Sequence, residues 1–339
     1  MSDPEDGRSS TPADEAVLAP RPDLGGGRSS PDFALPEGAS SGLPAELGST
    51  RIRRQTFVWG SRTYVMGILN ITPDSFSGDG LVEGPDALAG EGSAGSGTVA
   101  AAVHLARAMA DGGADLLDVG GESTRPGHAT VDEPEELARV LPVIKAVRAA
   151  LPRMALSIDT TKPAVAAAAL DAGADLLNDV WGVAADDGLA RLAAERGVPI
   201  VLMHNRAEAR YANLMAEVIA DLQRAIERAL RLGIGWDQII VDPGFGFGKT
   251  AQHNLVLLRE LPSLAILGRP ILLGASRKST LGRVLDLPAD QRLEATLATT
   301  ALGIAAGVDI VRVHDVRENV RAARLTDAVV RGTWPGGES

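Results

Sequence analysis

Residues able to do chemistry fall in short polar bursts along this 339-residue chain, each burst following an apolar run. Asp159, Asn178 and Asp242, with Lys278, offer carboxylate acceptors, one amide and one cation. Such a set suits a flat heterocycle with an amino-pyrimidinone edge, because carboxylates accept from ring N–H and NH2 groups. A second set, Asn70, Arg125, Arg312 and His314 with Ser123 and Thr124, is rich in donors and suits a phosphate or diphosphate. The chain holds only five His and five Phe, so His314 close to Arg312 is informative. Phe76, Phe245 and Phe247 lie in polar bursts rather than apolar runs, as expected of rings that stack on a planar ligand or gate it.

Each of these residues also has a structural reading. A strand-end carboxylate is commonly a helix cap, and Asp242 before Pro243-Gly244 could shape a turn. Arg277 and Lys278, taken alone, read as a solvated pair at a helix start. His204 reads as a hydrogen-bonded core histidine, and Glu122 as a buried acid paired with Arg125 or a backbone donor. Gly244–Thr250 has a passing likeness to a nucleotide-binding P-loop, but Gly248-Lys249-Thr250 would need glycine where Pro243 stands. That reading is rejected. Convergence of all the bursts on one place outweighs the individual structural readings.

Convergence requires elements that bring the bursts together. Apolar runs recur at Tyr64–Ile71, Ala114–Val119, Ala155–Ile158, Leu176–Val180, Pro199–Met203, Ile239–Val241, Pro270–Leu273 and Ile310–Val313. Short runs without a regular polar face read as parallel strands buried on both sides. Amphipathic stretches lie between them, clearest in Leu214, Val218, Leu222, Ile226 and Leu230. Gly113-Ala114-Asp115, Gly173-Ala174-Asp175 and Gly307-Val308-Asp309 repeat one phrase where a helix should end in a left-handed glycine cap. Eight such units predict an α/β fold, a single (β/α)8 TIM barrel, whose chemistry sits at the C-terminal strand ends. A doubly wound open sheet shares the alternation but usually has fewer strands. Arg51–Trp59 is expected to form a strand plugging the barrel floor, and Gly78–Gly97, with seven Gly, a mobile lid or neutral insertion.

Composition bounds the rest. The chain has 33 basic and 44 acidic residues, a net charge of −11. Residues 1–50 carry nine acids and three Arg, with seven Pro, seven Gly and eight Ser, and are expected to be a disordered tail ahead of a barrel over 51–334. An acidic chain without a basic patch argues against nucleic acid and anionic membrane as partners. No stretch approaches ~18 consecutive apolar residues, and the N-terminus, with Asp3, Glu5 and Asp6, does not read as a signal peptide. Without cysteine there is no thiol catalysis, disulfide or thiolate metal site. A cytoplasmic protein is expected.

Four blocks are long and specific: Gly67–Phe76, Asp118–Gly127, Asp242–Lys249 and Ser276-Arg277-Lys278-Ser279. In this order they resemble the dihydropteroate synthases of folate biosynthesis, a pterin-binding TIM-barrel family, from about Arg62 to Trp334. The resemblance implies condensation of 6-hydroxymethyl-7,8-dihydropterin diphosphate with 4-aminobenzoate, with Mg²⁺, catalysed by Asp159, Asp242, Lys278, Arg312 and His314. It would place the pterin among Asp159, Asn178, Asp242 and Lys278, with Met203 packed nearby. The diphosphate would lie on Asn70, Arg312, His314 and the Thr124–Arg125 turn, with Asn70 as the magnesium-contacting residue. Aminobenzoate would sit between Pro126, Phe247, Lys278 and Ser279, roofed by the loop bearing Phe76. The family also implies a homodimer through helices late in the barrel, which Leu293, Leu297, Ala301 and Ile304 would permit. One departure is Ser77-Gly78-Asp79-Gly80, where the family commonly has Ser-Asp-Gly-Gly. Two alternatives remain at this point: a non-catalytic pterin-binding homologue, and a corrinoid-linked methyltetrahydrofolate methyltransferase, which would need no diphosphate set.

Overall fold

The computed structural model of the chain describes residues 47–71, 94–122, 131–182 and 187–334. Outside them lie the expected tail up to residue 46, Phe76, Asp79, most of Gly78–Gly97, and Ser123, Thr124, Arg125 and Pro126. Two strands come first, β1 (Ser49–Ile52) and β2 (Gln55–Val58). Eight more follow: β3 (Tyr64–Asn70), β4 (Leu116–Gly120), β5 (Ala155–Asp159), β6 (Leu176–Asp179), β7 (Ile200–Met203), β8 (Ile239–Asp242), β9 (Leu272–Leu273) and β10 (Ile310–Val313). The helices are α1 (Ala94–Asp111), α2 (Glu133–Ala150), α3 (Pro163–Ala172), α4 (Gly188–Arg196), α5 (Leu214–Arg231), α6 (Ala251–Arg259), α7 (Ser279–Leu285), α8 (Leu293–Ala305) and α9 (Val316–Val330). Helix α1 already begins at Ala94, inside the stretch read as a loop up to Gly97.

All eight apolar runs are strands of one parallel sheet, ordered β8-β7-β6-β5-β4-β3-β10-β9. A bridge between Val241 and Ile271 joins its two ends, so the sheet is a barrel and not a doubly wound sheet. Helices cover it through the stripes that their periodicity dictates; on α5, Val218, Leu222, Ala225, Ile226 and Ala229 are buried. The repeated glycine phrase has two jobs. Gly113, Gly173 and Gly307 take left-handed φ of 99°, 115° and 93°. The aspartate that follows each one accepts a backbone N–H at the N-terminal end of an adjacent strand: Asp115 from Val65, Asp175 from Leu156 and Asp309 from Ile271, at 2.8, 3.0 and 3.0 Å.

Residues 51–59 form a hairpin with its antiparallel partner strand rather than a single strand, because Arg53, at φ 56°, turns the chain back. The hairpin includes Ser49 and the buried Thr50. It plugs the floor with Ile52, Phe57 and Trp59, which join Tyr64, Met66, Leu116, Ala155, Leu176, Val201, Ile240, Leu272 and Ile310 in one buried cluster. Phe57 and Tyr64 ring centroids are 4.7 Å apart, and each such buried ring contributes roughly 1.5–3 kcal/mol. No helix among the described residues is long and apolar enough to cross a membrane.

Candidate active site

Side chains of a strand alternate between faces, so the apolar floor dictates what stands above it. Leu116, Ala155, Leu176, Val201, Ile240, Leu272 and Ile310 fill the lumen. Two residues further along each strand, on the same inner face, come Asp118, Ser157, Asn178, Met203, Asp242, Gly274 and Arg312. One more step reaches Asp159 on β5, and Asn70 caps β3 opposite Gly120. The mouth of the barrel is therefore polar because five of these seven strands change from an apolar to a polar residue at one height.

Arg312 organises this layer. Its Nε donates to Asp118 Oδ2 at 2.6 Å and its Nη2 to Asp159 Oδ2 at 2.8 Å. Asn178 Nδ2 donates to the same Asp118 oxygen at 3.0 Å. Asp118 Oδ1 and Asp159 Oδ1 are both buried and have no hydrogen-bond partner among the described residues. Asp242 accepts from Gly244 N–H at 2.7 Å, and a side chain on Gly274 would touch both Asp242 and Arg312 at 3.9 Å. Lys278 donates to Phe245 O, and its ammonium lies 4.1 Å from the centre of the Phe247 ring. His314 Nδ1 is 3.0 Å from Ser276 Oγ, while Arg277 pairs with Asp315 at 3.1 Å. Met203 is buried next to Asp242 in the strand register, and Ser279 is exposed at the start of α7.

Burial dominates the titration of these groups. It pushes Asp159 up to about 7, with Arg312 opposing the rise and Asp118 adding to it. Asp242 is also raised by burial, against the pull of Lys278. Lys278 is brought down to about 7 by burial, with Asp242 opposing. Arg312 loses hydration too, yet Asp118 and Asp159 more than compensate and hold its proton more tightly than usual. Asp159 and Lys278, both brought to about 7, stand with the raised Asp242 at one barrel mouth, a pattern that marks functional sites.

Several sequence readings change. Phe245 is fully buried in the core between barrel and helices, so it neither stacks on a ligand nor gates one. Glu122 pairs with Lys162 at 2.6 Å, and Lys162 also reaches the buried Glu136. Arg277 and Lys278 are not a solvated pair, since one is held by Asp315 and the other is drawn under Phe247. Arg312, expected on the diphosphate, donates to the carboxylates of Asp118 and Asp159, so the two sets meet at its guanidinium. His204 is a hydrogen-bonded core histidine, with Asp221 3.2 Å from Nε2. Asp118 was missed as a site residue, although alternation with Leu116 would have pointed it inward. A cavity of about 200 Å³ lies near the other end of β3, lined by Arg62, Asp115 and Asp327; there Arg62 pairs with Asp115 at 2.6 Å, and Asp327 accepts from Thr63.

Comparison with known proteins decides what this layer belongs to. The profile of the pterin binding enzyme family matches residues 66–314. The dihydropteroate synthase of Clostridium beijerinckii is 48% identical over 282 residues, 83% of this chain and 99% of that protein. The chain belongs to the dihydropteroate synthase family. A solved dihydropteroate synthase from Clostridium difficile, crystallised with pteroic acid, superposes with a TM-score of 0.74 at 46% identity, covering 81% of this chain and 99% of that one. A Xanthomonas albilineans dihydropteroate synthase with 4-aminobenzoic acid gives 0.74 at 40% identity, over 85% and 100%. Pterin-binding enzymes of this family thus share the barrel whose inner layer carries Asp118, Asp159, Asn178, Asp242 and Arg312 here.

Proposed function

We propose that the chain condenses 6-hydroxymethyl-7,8-dihydropterin diphosphate with 4-aminobenzoate, giving 7,8-dihydropteroate and diphosphate. The observation that carries this reading is the pair of buried, donorless oxygens on Asp118 and Asp159 beside Asn178, Asp242 and Arg312. Buried acceptors without donors cost roughly 1–3 kcal/mol each, and a pterin edge supplies N–H and NH2 donors that would recover it. Asp159 and Asp242 then favour positive charge on the pterin as the C–O bond to diphosphate breaks and a delocalised cation forms at the methylene. Arg312, His314, Thr124 and Arg125 hold the leaving diphosphate. Lys278, Phe247, Pro126 and Ser279 hold aminobenzoate, with Phe76 above it, so that its amine attacks the methylene carbon and releases a proton.

Among the described residues no group of three or more His, Cys, Asp or Glu could cage a metal ion. Asn70, half-buried, offers one hard amide oxygen close to Asp159 across Gly120, which fits a Mg²⁺ that arrives with the diphosphate and keeps its waters. Bound there, Mg²⁺ would neutralise charge growing on the leaving group.

The enzyme is further proposed to work in the cytoplasm as a homodimer. Of the residues expected to permit a dimer, Ile304 is buried, while Leu293, Leu297 and Ala301 are half-buried. The exposed large apolar residues of α8 and α9 are Leu302, Leu325, Val329 and Val330, which fit the dimer better. A diphosphate-release assay that omits each component in turn tests the activity. Release should require both substrates and Mg²⁺; tight binding of the pterin diphosphate without release would leave a pterin-binding protein only.

A further inference from the structure

Loop 243–250, between β8 and α6, is held by lysines on two sides. Gly244, Gly246 and Gly248 adopt φ of 70°, 84° and 54°, and added side chains there would strike His204 O at 1.8 Å, Lys278 Cδ at 2.6 Å and Arg206 O at 2.3 Å. The glycines thus let the loop backbone press onto the β7 end and onto Lys278. From one side Lys278 takes Phe245 O. From the other, the ammonium of Lys249 donates to Gly244 O at 3.0 Å and Phe247 O at 3.1 Å, and lies 2.9 Å from His204 Nδ1. Three N–H groups meet three acceptors. His204 can accept at Nδ1 because its proton sits on Nε2, which donates to Asp221 at 3.2 Å. Asp221 is in turn fixed by Arg206, and Tyr211 holds Gly248 O at 2.8 Å. This Asp221–His204–Lys249 chain centres on the buried His204, with Asp221 and Lys249 half-buried, and neither the pterin layer nor the diphosphate set uses it.

We propose that Lys249 is a positioning residue for aminobenzoate: it fixes the loop from inside so that the Phe247 ring lies against Lys278. The inference rests on the reading that Phe247 borders the aminobenzoate position. Lys249 itself touches no substrate. It ties the carbonyls on either side of Phe245 and Phe247 to the β7 end, so that removing its ammonium leaves three buried acceptors facing one another and frees the ring to turn off Lys278. Burial brings Lys249 down to about 7, in a setting where Asp242 supports its charge and Lys278 and Arg206 oppose it. A lysine kept there at that cost is doing more than decorating a surface.

A double-mutant cycle on the full chain tests this, with Lys249→Met, Phe247→Ala and the pair. Lys249→Met should raise KM for 4-aminobenzoate about tenfold or more and leave the Kd for pterin diphosphate within about twofold. Phe247→Ala should raise the same KM, and the double variant should be no worse than the worse single variant. Losses that multiply in the double variant, or KM and pterin Kd rising together, would overturn the proposal and leave Lys249 a general fold residue. An unchanged aminobenzoate KM in Phe247→Ala would overturn it by way of the site reading. A raised KM in Phe247→Ala with none in Lys249→Met would overturn it while leaving that reading intact. Lys249→Gln, which keeps two N–H donors, should give a smaller rise than Lys249→Met; a larger rise counts against the proposal. If Lys249→Met does not fold, Lys249→Gln takes its place in the cycle and is judged by the same non-additivity.

Discussion

Replacing Asp118 by Asn tests how the inner layer works, because the change keeps shape while removing one buried negative charge. Asp118 Oδ2 receives Arg312 Nε at 2.6 Å and Asn178 Nδ2 at 3.0 Å. An amide has one oxygen and one NH2 group, so whichever way it turns, one donor meets another donor or a charged hydrogen bond becomes a neutral one. Hydrogen bonds to charged groups contribute about 1.5–3 kcal/mol each, and with the amide NH2 turned toward it Arg312 keeps only its bond to Asp159. Loss of one such bond from the transition state corresponds to roughly a tenfold to a hundredfold fall in kcat/KM. A second consequence has a definite sign. The charge on Asp118 helps raise Asp159, so its removal lets Asp159 ionise at lower pH, and the acid limb of kcat/KM for the pterin substrate should move down. The assay is diphosphate release against pH for both proteins, with circular dichroism to show that the variant is folded. A folded Asp118→Asn with kcat/KM within about threefold of the parent and an unmoved acid limb would falsify the idea that Asp118 sets Arg312 and Asp159.

Three further outcomes follow from the same geometry. Because burial brings Asp159 up and Lys278 down to about 7 at one barrel mouth, kcat/KM for pterin diphosphate should peak near neutrality. It should fall below as Asp159 protonates and above as Lys278 loses its proton, and a profile flat from about pH 5.5 to about pH 8.5 would contradict this. Phe245→Ala should cost ~3–5 kcal/mol in denaturant unfolding, since the ring is wholly buried, while the half-buried Phe247→Ala should cost far less stability and instead weaken aminobenzoate. Leu302→Glu combined with Val329→Glu should halve the mass seen by light scattering if α8 and α9 carry the dimer; an unchanged dimer mass would place the interface elsewhere.

The barrel was legible in the sequence because a parallel strand covered on both faces has little choice of residue. Tyr64–Ile71 and Ile310–Val313 read as strands from apolar runs alone, and the glycine phrase marked helix ends that the structure caps with left-handed φ. What the sequence hid was direction and partnership. Phe245 and Phe247 stand two apart in a loop whose glycines reverse the backbone at each step, so no regular period says which ring faces the core. Period two does apply on β4, yet Asp118 was passed over as part of a motif, because a buried acid declares itself only once its donors, on β6 and β10, are known. The hairpin was read as one strand since Arg53 gives no turn signal of its own; a left-handed arginine is rare and is held here by Pro152 O and Asp175.

The diphosphate set shows the same limit in its sharpest form. Arg312 reads with His314 and Asn70 from its charge as a residue, and its ion pairs with Asp118 and Asp159 make that charge a property of the layer as well. Breaking a buried pair costs about 3–5 kcal/mol, so a substrate that drew Arg312 wholly away from Asp118 and Asp159 would have to replace both bonds. The pterin edge, by donating to those carboxylates, is the part of the substrate able to do so. In the proposed reaction, binding of the ring would free the guanidinium toward the leaving group, the two events being linked through the same four oxygens. On the proposed function, that linkage, rather than the list of cations at the mouth, would separate a site for a pterin diphosphate from a site for a phosphate alone.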